Sequence, residues 1–358
     1  MTTDEFYMQR CIELAEKGRT NVRTNPMVGC VIVHNGRIIG EGYHRKYGEA
    51  HAEVNAIQSV ADTDKDLLSA STLYVNLEPC CHYGKTPPCS NLIIDHKIPK
   101  VVIGMQDPFP LVAGGGITML RDAGIEVEVN ILEKECRYLN RRFITFHEKK
   151  RPYVIFKWAQ TIDGYIDNDR EPDTPPTWLT NTECKRLVHK WRTEESAIIV
   201  GSETIKRDNP QLTAREWYGP SPLRLTIDRQ KQLLPSGNIF KGDTPTVIFT
   251  QNSTDIPALS ESYKYVGIDF KNDLWMQKIM DYLYKQNILS MIVEGGTQLF
   301  NLFLENNYFD EARIFVSPLM LSELKGGHGN GIKAPELPKG TNYEHTVIED
   351  VLLKTVLF

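Results

Sequence analysis

The chain has 358 residues and a formal net charge of −5, with 41% hydrophobic and 24% charged residues. This composition is typical of a soluble globular protein of about two domains, and the acidic balance excludes a general electrostatic attraction to nucleic acid or an anionic membrane. The first ten residues are polar and no stretch has the length and apolar character of a bilayer span, so the sequence predicts a cytoplasmic protein.

Apolar periodicity and turn residues divide the first half of the chain into alternating helices and strands. A helical pattern over 4–18 is followed by a strand at 28–33, after which the Asn35-Gly36 turn predicts a hairpin. Further helices are predicted over 51–61, from residue 90 and over 117–123, and further strands over 73–77, 101–103 and 127–131. This alternation predicts an α/β sandwich with a partly parallel sheet.

The chain changes character around residues 146–152, where a charged run ends in proline, and we place a domain boundary there. The predicted domains are therefore 1–147 and 148–358. The second has strands near 153–158, 197–201, 223–227, 246–250, 290–293 and 312–317, and helices near 181–192, 273–286 and 297–306, which predicts a second α/β domain. We expect a surface loop at 168–177 and a mobile glycine-rich segment at 322–333.

The seven cysteines are unevenly distributed, because Cys80, Cys81 and Cys89 lie within ten residues. In a long chain without signs of secretion, such a cluster indicates metal binding or catalysis before disulfides. Together with His51 and Glu53, the cluster matches the zinc-deaminase signature His-x-Glu followed by Pro-Cys-x-x-Cys. The match has one departure, since eight residues separate Cys80 from Cys89 where the signature has two.

The residue types explain the chemistry of this signature. A zinc ion on His51, Cys80 and Cys89 keeps a fourth position open for water, and zinc lowers the pKa of a bound water to about 7. Glu53 is not a ligand. It lies one residue from His51 at the start of a predicted helix, where its carboxylate can shuttle a proton from the water to a departing amine.

A structural zinc site is the alternative to a catalytic one. It requires four protein ligands, and Cys81 and His82 are both available. Such a site has no need of an acid beside His51, and adjacent cysteines point in different directions. We therefore prefer the catalytic interpretation and expect Cys81 to be a packing residue.

Three segments carry a resemblance to a known family, namely Asn25-Pro-Met-Val-Gly-Cys-Val-Ile32, His51-Ala-Glu-Val-Asn-Ala56 and the run from Glu78 to Cys89. They resemble the bifunctional riboflavin-biosynthesis deaminase/reductase family. Its long loop between the cysteines, ending Thr-Pro-Pro-Cys, separates it from cytidine and tRNA adenosine deaminases. The resemblance implies a cytidine-deaminase-like α/β/α sandwich that deaminates 2,5-diamino-6-ribosylamino-4(3H)-pyrimidinone 5′-phosphate.

The resemblance also implies roles for residues around the metal. It implies ring contacts from Asn25 and His44 and phosphate contacts from His82 and Lys85. A flexible cation such as Lys85 suits a phosphate. One departure is Phe109, since the family usually has Asp-Pro-Asn-Pro where this chain has Asp-Pro-Phe-Pro at 107–110.

The second half contains no Gly-x-Gly-x-x-Gly, so the Rossmann fingerprint is absent. Its strongest local signal is Glu294-Gly-Gly-Thr297 between a predicted strand and helix, which indicates either a phosphate-binding turn or a plain connection. The segments 157–164 and 200–213 are similar to the reductase half of the same family. That similarity implies a dihydrofolate-reductase-like α/β domain, which binds NADPH without the fingerprint.

The reductase resemblance implies two groups of contacts and the reduction of the ribosyl group to ribityl by NADPH. The implied cofactor contacts are Ala159, Trp178, Thr204, Asp208, Gly295, Gly296 and Thr297. The implied substrate contacts are Arg192, Leu212, Arg215 and Glu294, and the two arginines suit the 5′-phosphate. We expect Lys157 to be the catalytic group beside the sugar, together with Glu294. Arg229, after the predicted strand 223–227, is either a ligand of the cofactor 2′-phosphate or a solvent-facing arginine.

The sequence therefore predicts a zinc- and NADPH-dependent bifunctional enzyme that acts on a phosphorylated pyrimidine. We expect no nucleic-acid partner and no membrane, and family resemblance suggests a homo-oligomer. One alternative is a tRNA-type nucleic-acid deaminase with an accessory domain, which the net charge and the lack of a basic patch near the site disfavour. Another is a protein that binds zinc and a nucleotide without catalysis.

Overall fold

The computed structural model describes residues 1–82, 87–109, 112–168, 174–175, 177–251, 262–324, 331–339 and 341–358. The chain divides into two compact units, Met1–Lys150 and Arg151–Phe358. The boundary predicted after residue 147 lies inside the last helix of the first unit. The charged run that suggested a linker comprises the end of that helix, where Glu148 and Lys149 are exposed, and the buried Arg151 and Pro152 that follow it.

The first unit alternates helices and strands. Its described helices are α1 (Thr3–Glu16), α2 (Ala52–Gln58), α3 (Cys89–Asp95), α4 (Gly115–Asp122), α5 (Glu133–Leu139) and α6 (Arg141–Lys149), with a 3-10 segment at Asp62–Ala70. Its described strands are β1 (Gly29–His34), β2 (Arg37–Tyr43), β3 (Thr72–Val75), β4 (Lys100–Ile103) and β5 (Glu126–Val129). Every element predicted for this half is present. The prediction missed α5 and α6, which are short and rich in charged residues.

The strands of the first unit form a partly parallel sheet between two helical layers, as predicted. Among the described residues the order is β2-β1-β3-β4-β5, with β3, β4 and β5 parallel and β1 antiparallel to both its neighbours. Successive residues of β1 alternate between the two faces. Val31 and Val33 pack in a core with α1 and α5, whereas Cys30 and Ile32 pack in a second core with α2, α3 and α4.

The second unit is built in the same alternating manner. Its described helices are α7 (Thr182–Glu194), α8 (Ser202–Asp208), α9 (Trp275–Lys285) and α10 (Thr297–Glu305). Its described strands are β6 (Tyr153–Gln160), β7 (Tyr165–Asn168), β8 (Ala197–Gly201), β9 (Leu223–Ile227), β10 (Thr246–Gln251), β11 (Tyr263–Ile268), β12 (Ser290–Val293), β13 (Glu311–Val316), β14 (Gly331–Lys333), β15 (Glu344–Ile348) and β16 (Val351–Leu357).

A long sheet organises the second unit. In the described part of the chain its order is β11-β10-β9-β8-β12-β6-β13-β16-β15, and all pairs from β11 to β13 are parallel. Helices α9 and α10 cover one face and α7 covers the other. The predicted strands and helices are all present, whereas β7, α8, β11, β14, β15 and β16 were not predicted. The exposed β15 lacks the apolar alternation that marks a half-buried strand.

Two predicted loops fall partly outside the described residues. Of the loop 168–177, residues 169–173 and 176 lie outside, and of the glycine-rich segment 322–333, residues 325–330 lie outside. No helix within the described ranges has the length and apolar character needed to cross a membrane. All seven cysteines are among the described residues, and no disulfide joins any of them.

Candidate metal centre and cofactor cavity

Three side chains from three different elements converge at the carboxyl edge of the first sheet. His51 is the residue that caps α2, Cys80 follows β3, and Cys89 begins α3. His51 Nδ1 lies 3.6 Å from Cys80 Sγ and 3.4 Å from Cys89 Sγ. All three ligand atoms lie within 4.8 Å of one another, which no other group of three metal-binding side chains achieves in the described residues.

Hydrogen bonds within the cluster shift the pKa values of its members. A hydrogen bond from Cys89, with burial opposing it and His51 assisting it, lowers the pKa of the Cys80 thiol to about 4. The hydrogen bond to Cys80 raises the pKa of His51 to about 9. The backbone N–H of Cys89 also donates to Cys80 Sγ at 3.3 Å. One imidazole and two sulfurs are ligands that zinc prefers, so the donor set fits that metal.

Neither of the side chains that a structural zinc site would recruit belongs to this cluster. Cys81 Sγ lies 3.9 Å from the carbonyl oxygen of Val112, and the exposed His82 ring lies 6.4 Å from the ring of Phe109. Among the described residues, the cluster that could hold a metal ion therefore consists of His51, Cys80 and Cys89. Zinc held by three protein ligands would have a fourth position for water.

Glu53 stands beside the centre without being one of its ligands. It is in the first turn of α2, its side chain is 3% exposed, and its carboxyl contacts Cys89. Burial raises the pKa of this carboxyl. A buried carboxyl within reach of the open metal position is the arrangement that general acid–base catalysis requires.

Asn25 and His44 lie next to the metal cluster and contact each other. The Asn25 amide donates to His44 Nε2 at 2.9 Å, and His44 Nδ1 donates to the carbonyl oxygen of Ala50 at 3.1 Å. The His44 and His51 rings are 5.6 Å apart. Burial lowers the pKa of His44, so this ring is neutral and both its nitrogens have partners.

Two buried amides hold the segment that carries Asn25. Asn140 accepts from the N–H of Met27 at 2.8 Å and donates to its carbonyl oxygen at 3.0 Å. Asn76 donates to the same carbonyl oxygen at 3.0 Å and accepts from the N–H of Gly29 at 2.7 Å. Asn140 is 113 residues away from Met27 in the sequence, so only the folded chain reveals this support.

The buried Glu78 carboxylate holds the loop that carries Cys80. It accepts four backbone hydrogen bonds, from Asp107 at 3.1 Å, Gly114 at 3.0 Å, Gly116 at 2.9 Å and Ile117 at 3.1 Å. These contacts join the loop after β3 to the loop after β4 and to the start of α4. Glu78 was not singled out in the sequence, although it directly precedes Pro79-Cys80.

The remaining predicted residues of this site lie around the loop after β4. Lys85 lies outside the described residues. Phe109, the residue that departs from the family pattern, packs between His82 and His147, with its ring 4.9 Å from that of His147. The departure therefore places an aromatic ring against the predicted phosphate ligand His82.

The second unit contains a cavity of about 920 Å³ at the carboxyl ends of its parallel strands. Its wall includes both ionisable groups expected near the sugar, Lys157 on β6 and Glu294 after β12. It also includes every residue expected to contact the cofactor, namely Ala159, Trp178, Thr204, Asp208, Arg229, Gly295, Gly296 and Thr297.

Lys157 and Glu294 on the cavity wall interact electrostatically with Arg192, which is not itself among the residues that line the cavity. Arg192 on α7 forms a salt bridge of 2.9 Å with Glu294 Oε2. Although burial opposes it, the pKa of Glu294 is lowered by Arg192 and Lys157, whereas burial lowers the pKa of Lys157. Among the described residues, Glu294 Oε1 and Arg192 Nε are buried without a hydrogen-bond partner. Polar atoms of this kind indicate a polar ligand.

The other predicted substrate contacts are outside the cavity wall. Leu212 is 3% exposed and packs in the core with α7, with a left-handed φ of 57°. Arg215 is exposed, and it neighbours the buried His189. The left-handed φ of Leu212 stores backbone strain, because Leu212 is not a glycine, and such strain occurs preferentially at functional sites.

His189 is a residue of this region that the sequence analysis missed. Its Nδ1 accepts from the backbone N–H of Glu216 at 3.3 Å, and Arg192 donates to the carbonyl oxygen of Thr213 at 3.2 Å. These two α7 side chains therefore fix the segment that carries Arg215. Burial, with Arg192 and Arg215 nearby, lowers the pKa of His189 to about 4, so the ring stays neutral. The sequence feature that could have revealed His189 is its spacing from Arg192, because residues three apart lie on the same face of a helix.

Comparisons with known proteins agree with this geometry. The model of the cytidine and deoxycytidylate deaminase zinc-binding region matches residues 1–105, and that of the RibD C-terminal domain matches residues 152–337. The riboflavin biosynthesis protein RibD of Chlamydia pneumoniae is 37% identical over 335 residues, covering 89% of this chain and 86% of that protein. The RibD of Escherichia coli K12 is 34% identical over 339 residues, covering 90% of each.

Solved structures give the same result. A diaminohydroxyphosphoribosylaminopyrimidine deaminase/5-amino-6-(5-phosphoribosylamino)uracil reductase from Thermotoga maritima matches with a TM-score of 0.86 and 36% identity, covering 99% of this chain and 98% of that one. A RibD of Acinetobacter baumannii matches with a TM-score of 0.83 and 29% identity, with the same coverage. The predicted fold class, a cytidine-deaminase-like domain followed by a dihydrofolate-reductase-like domain, is confirmed.

Metal analysis of purified variants tests the ligand set. The parent chain should contain about one zinc ion per chain, and Cys80→Ser or His51→Ala should lose most of it, because two remaining ligands hold zinc weakly. Cys81→Ser and Cys184→Ser are matched controls that should keep the parent zinc content. Loss of zinc in Cys81→Ser would contradict a centre with three protein ligands.

Proposed function

Because this chain belongs to the RibD family and is a bifunctional deaminase and reductase of riboflavin biosynthesis, we propose how its residues divide the two reactions. The first unit, Met1–Lys150, deaminates 2,5-diamino-6-ribosylamino-4(3H)-pyrimidinone 5′-phosphate. The second unit, Arg151–Phe358, then reduces the ribosyl group of the product to ribityl with NADPH. The observation that carries the proposal is the convergence of His51, Cys80 and Cys89 beside the non-ligand Glu53.

The deamination is a hydrolysis in which water adds to the ring carbon that bears the amine, the C–N bond breaks and ammonia leaves. A zinc ion on His51, Cys80 and Cys89 would lower the pKa of a water at its fourth position. Glu53 accepts the proton of the attacking water and delivers it to the departing nitrogen. Its burial favours this role, because burial raises the pKa of the carboxyl and so helps it to hold the proton between the two transfers.

Four further residues hold the pyrimidine substrate in this proposal. Asn25 and His44 orient the ring, and their mutual hydrogen bond keeps both side chains in one arrangement. His82 and Lys85 bind the 5′-phosphate. The Phe109 ring lies 6.4 Å from the His82 ring, so the residue that departs from the family pattern neighbours one of the two proposed phosphate ligands.

The reduction transfers a hydride to the first carbon of the sugar. The C–O bond of the sugar ring at that carbon breaks, and a proton goes to the released oxygen. NADPH supplies the hydride. Lys157 supplies the positive charge and the proton at the oxygen, and burial makes its ammonium a better acid than an exposed lysine. Glu294 Oε1 accepts a hydrogen bond from a sugar hydroxyl, which would satisfy its unpartnered lone pairs.

Charged residues of α7 and its neighbouring loop complete the proposed reductase site. Arg192 and Arg215 bind the 5′-phosphate, Leu212 shapes the adjoining backbone, and His189 positions Arg215. The cofactor contacts are Ala159, Trp178, Thr204, Asp208, Arg229, Gly295, Gly296 and Thr297, with Arg229 at the 2′-phosphate. Gly295 has a φ of 119° and Gly296 caps α10, so backbone N–H groups at that helix start suit the pyrophosphate.

Assembly and location complete the proposal. Membership of the family supports a homo-oligomer. The absence of disulfides among the seven cysteines, all of them described, supports a reducing compartment such as the cytoplasm.

Product analysis tests the two activities together. The purified chain is incubated with the diaminopyrimidine phosphate, and products are identified by mass. Without NADPH we expect only the deaminated compound, and with NADPH the deaminated and reduced compound. Deamination of tRNA in preference to the free nucleotide would contradict the proposal.

Glu53→Gln tests the proton shuttle. Deamination should fall by roughly 10²- to 10⁴-fold, the contribution of a general acid–base, while zinc content and reduction of the deaminated compound stay at the parent level. Glu49→Gln, an exposed acid two residues before His51, is the matched control and should deaminate normally. Equal loss of both activities in Glu53→Gln would contradict two separate sites.

Lys157→Met tests the proposed acid of the reductase. The reductase kcat should fall by roughly 10²-fold or more because the side chain keeps its length but loses its charge and proton. Mass analysis should then find the deaminated, unreduced compound accumulating in the presence of NADPH. Lys285→Met, an exposed residue at the end of α9, is the control. Normal reduction by Lys157→Met would remove Lys157 from the mechanism.

A further inference from the structure

Arg229 lies on the cavity wall, two residues beyond the end of β9. The turn that presents it is fixed by the preceding residue. The buried Asp228 carboxylate accepts hydrogen bonds from the backbone N–H groups of Gln232 at 3.0 Å and Leu233 at 2.9 Å. The backbone of Arg229 is therefore held in place before any ligand binds.

The strand order separates Arg229 from the reacting end of the cavity. Lys157 is on β6, the turn of Gly295 and Gly296 follows β12, Thr204 follows β8, and Arg229 follows β9. These strands are adjacent in the order β9-β8-β12-β6. Three strand spacings amount to roughly 14 Å, so the phosphate-binding turn lies between the two ends. A dinucleotide with its nicotinamide at Lys157 reaches Arg229 with its adenosine half.

Two aromatic rings form a corner against the Arg229 guanidinium. Its Cζ lies 4.7 Å from the ring centroid of Phe270 and 4.9 Å from that of Trp275. The two centroids are 5.0 Å apart, with the ring planes inclined by 55°. Both rings therefore lie on the same side of the guanidinium and do not sandwich it. Arg229 is at the same time one of the residues that line the cavity.

The aromatic corner and Arg229 are joined through one residue. Gln251, at the end of β10, donates its backbone N–H to the carbonyl oxygen of Arg229 at 3.1 Å. Its side-chain oxygen accepts from the backbone N–H of Phe270 at 3.0 Å. Trp275 begins α9, and both rings pack against the core of the second unit. The corner is thus part of the rigid scaffold.

We propose that Phe270 and Trp275 are positioning residues for cofactor selectivity, which hold the Arg229 guanidinium toward the 2′-phosphate of NADPH. This inference rests on the proposed function, in which Arg229 binds that phosphate. Stacking uses the face of the guanidinium and leaves its N–H fork for the phosphate oxygens. The corner also reduces the rotamer freedom that a long side chain would lose on binding. No carboxylate forms a salt bridge with Arg229 among the described residues, so its charge is available.

Binding of cofactor fragments tests this role without turnover. Calorimetry on the full chain compares adenosine 2′,5′-bisphosphate with AMP, which differ only in the 2′-phosphate. The variants are Arg229→Ala, Phe270→Leu and Trp275→Leu, since leucine keeps an apolar contact with the core but has no π face. Phe270→Tyr and Trp275→Phe keep an aromatic ring at each position, and these variants should bind both nucleotides as the parent does. The KM values for NADPH and NADH are measured in parallel.

The control is a second arginine that stacks on an aromatic ring. Arg141 lies 4.2 Å above the ring of Tyr138 in the deaminase unit, and Arg141→Ala should leave all cofactor binding unchanged. Arg229→Ala should weaken the bisphosphate roughly tenfold or more, the scale of a charged hydrogen bond. Each leucine variant should weaken it by about two- to fivefold, the scale of a cation–π contact. AMP and NADH should bind as to the parent, and deamination should be normal in every variant.

Three outcomes would overturn the inference, and they separate it from the proposed cofactor contact. If Arg229→Ala weakens the bisphosphate but the leucine variants do not, Arg229 binds the 2′-phosphate without help from the rings. If Arg229→Ala has no effect, the proposed contact itself is wrong. If the leucine variants weaken AMP as much as the bisphosphate, the rings serve the adenine or the fold and not the selectivity. In the last case, parent-like binding by Phe270→Tyr and Trp275→Phe would distinguish adenine stacking from a folding defect.

Discussion

Parallel strands end at one edge of their sheet, and both sites of this chain depend on that constraint. In the first unit Cys80 follows β3, which is parallel to β4. In the second, Lys157, Glu294 and Arg229 belong to strands of one parallel array. Strand spacing therefore sets the distances between functional groups that are far apart in sequence. Backbone hydrogen bonds between the strands fix this spacing. The loops that follow the strands can therefore carry reactive side chains at defined positions.

Two buried carboxylates of this protein, Glu78 and Glu294, differ in whether both of their oxygens have partners. Both carboxylate oxygens of Glu78 accept hydrogen bonds, two each, from four backbone N–H groups. Glu78 therefore fixes the loops and is not available to bind a ligand. Glu294 uses one oxygen for Arg192 and leaves the other without a partner among the described residues. A buried polar atom without a partner is costly. The contrast explains why one carboxylate stabilises the fold while the other is suited to bind substrate.

The deaminase centre also shows how neighbours decide the state of a side chain. Cys89 begins a helix, a position that generally favours a thiolate, yet the hydrogen bond to Cys80 and burial raise the pKa of Cys89. Its backbone N–H instead stabilises the sulfur of Cys80. The sequence predicted that both sulfurs belong to one cluster, and they lie together in the structure. The order in which they lose protons depends on which donor faces which sulfur.

The sequence by itself determined the elements with strong periodicity, the metal-binding residue types and, through resemblance, the family. His51, Glu53, Cys80 and Cys89 were identifiable because zinc chemistry restricts the residue types and their local spacing. Only the tertiary structure decided which distant groups support the residues of each site. Asn140 under Met27, His189 beside Glu216, and Phe270 and Trp275 against Arg229 have no local signature, since their roles arise from contacts across the fold. The short α5 and α6 and the exposed β15 were missed because packing, rather than periodicity, defines them.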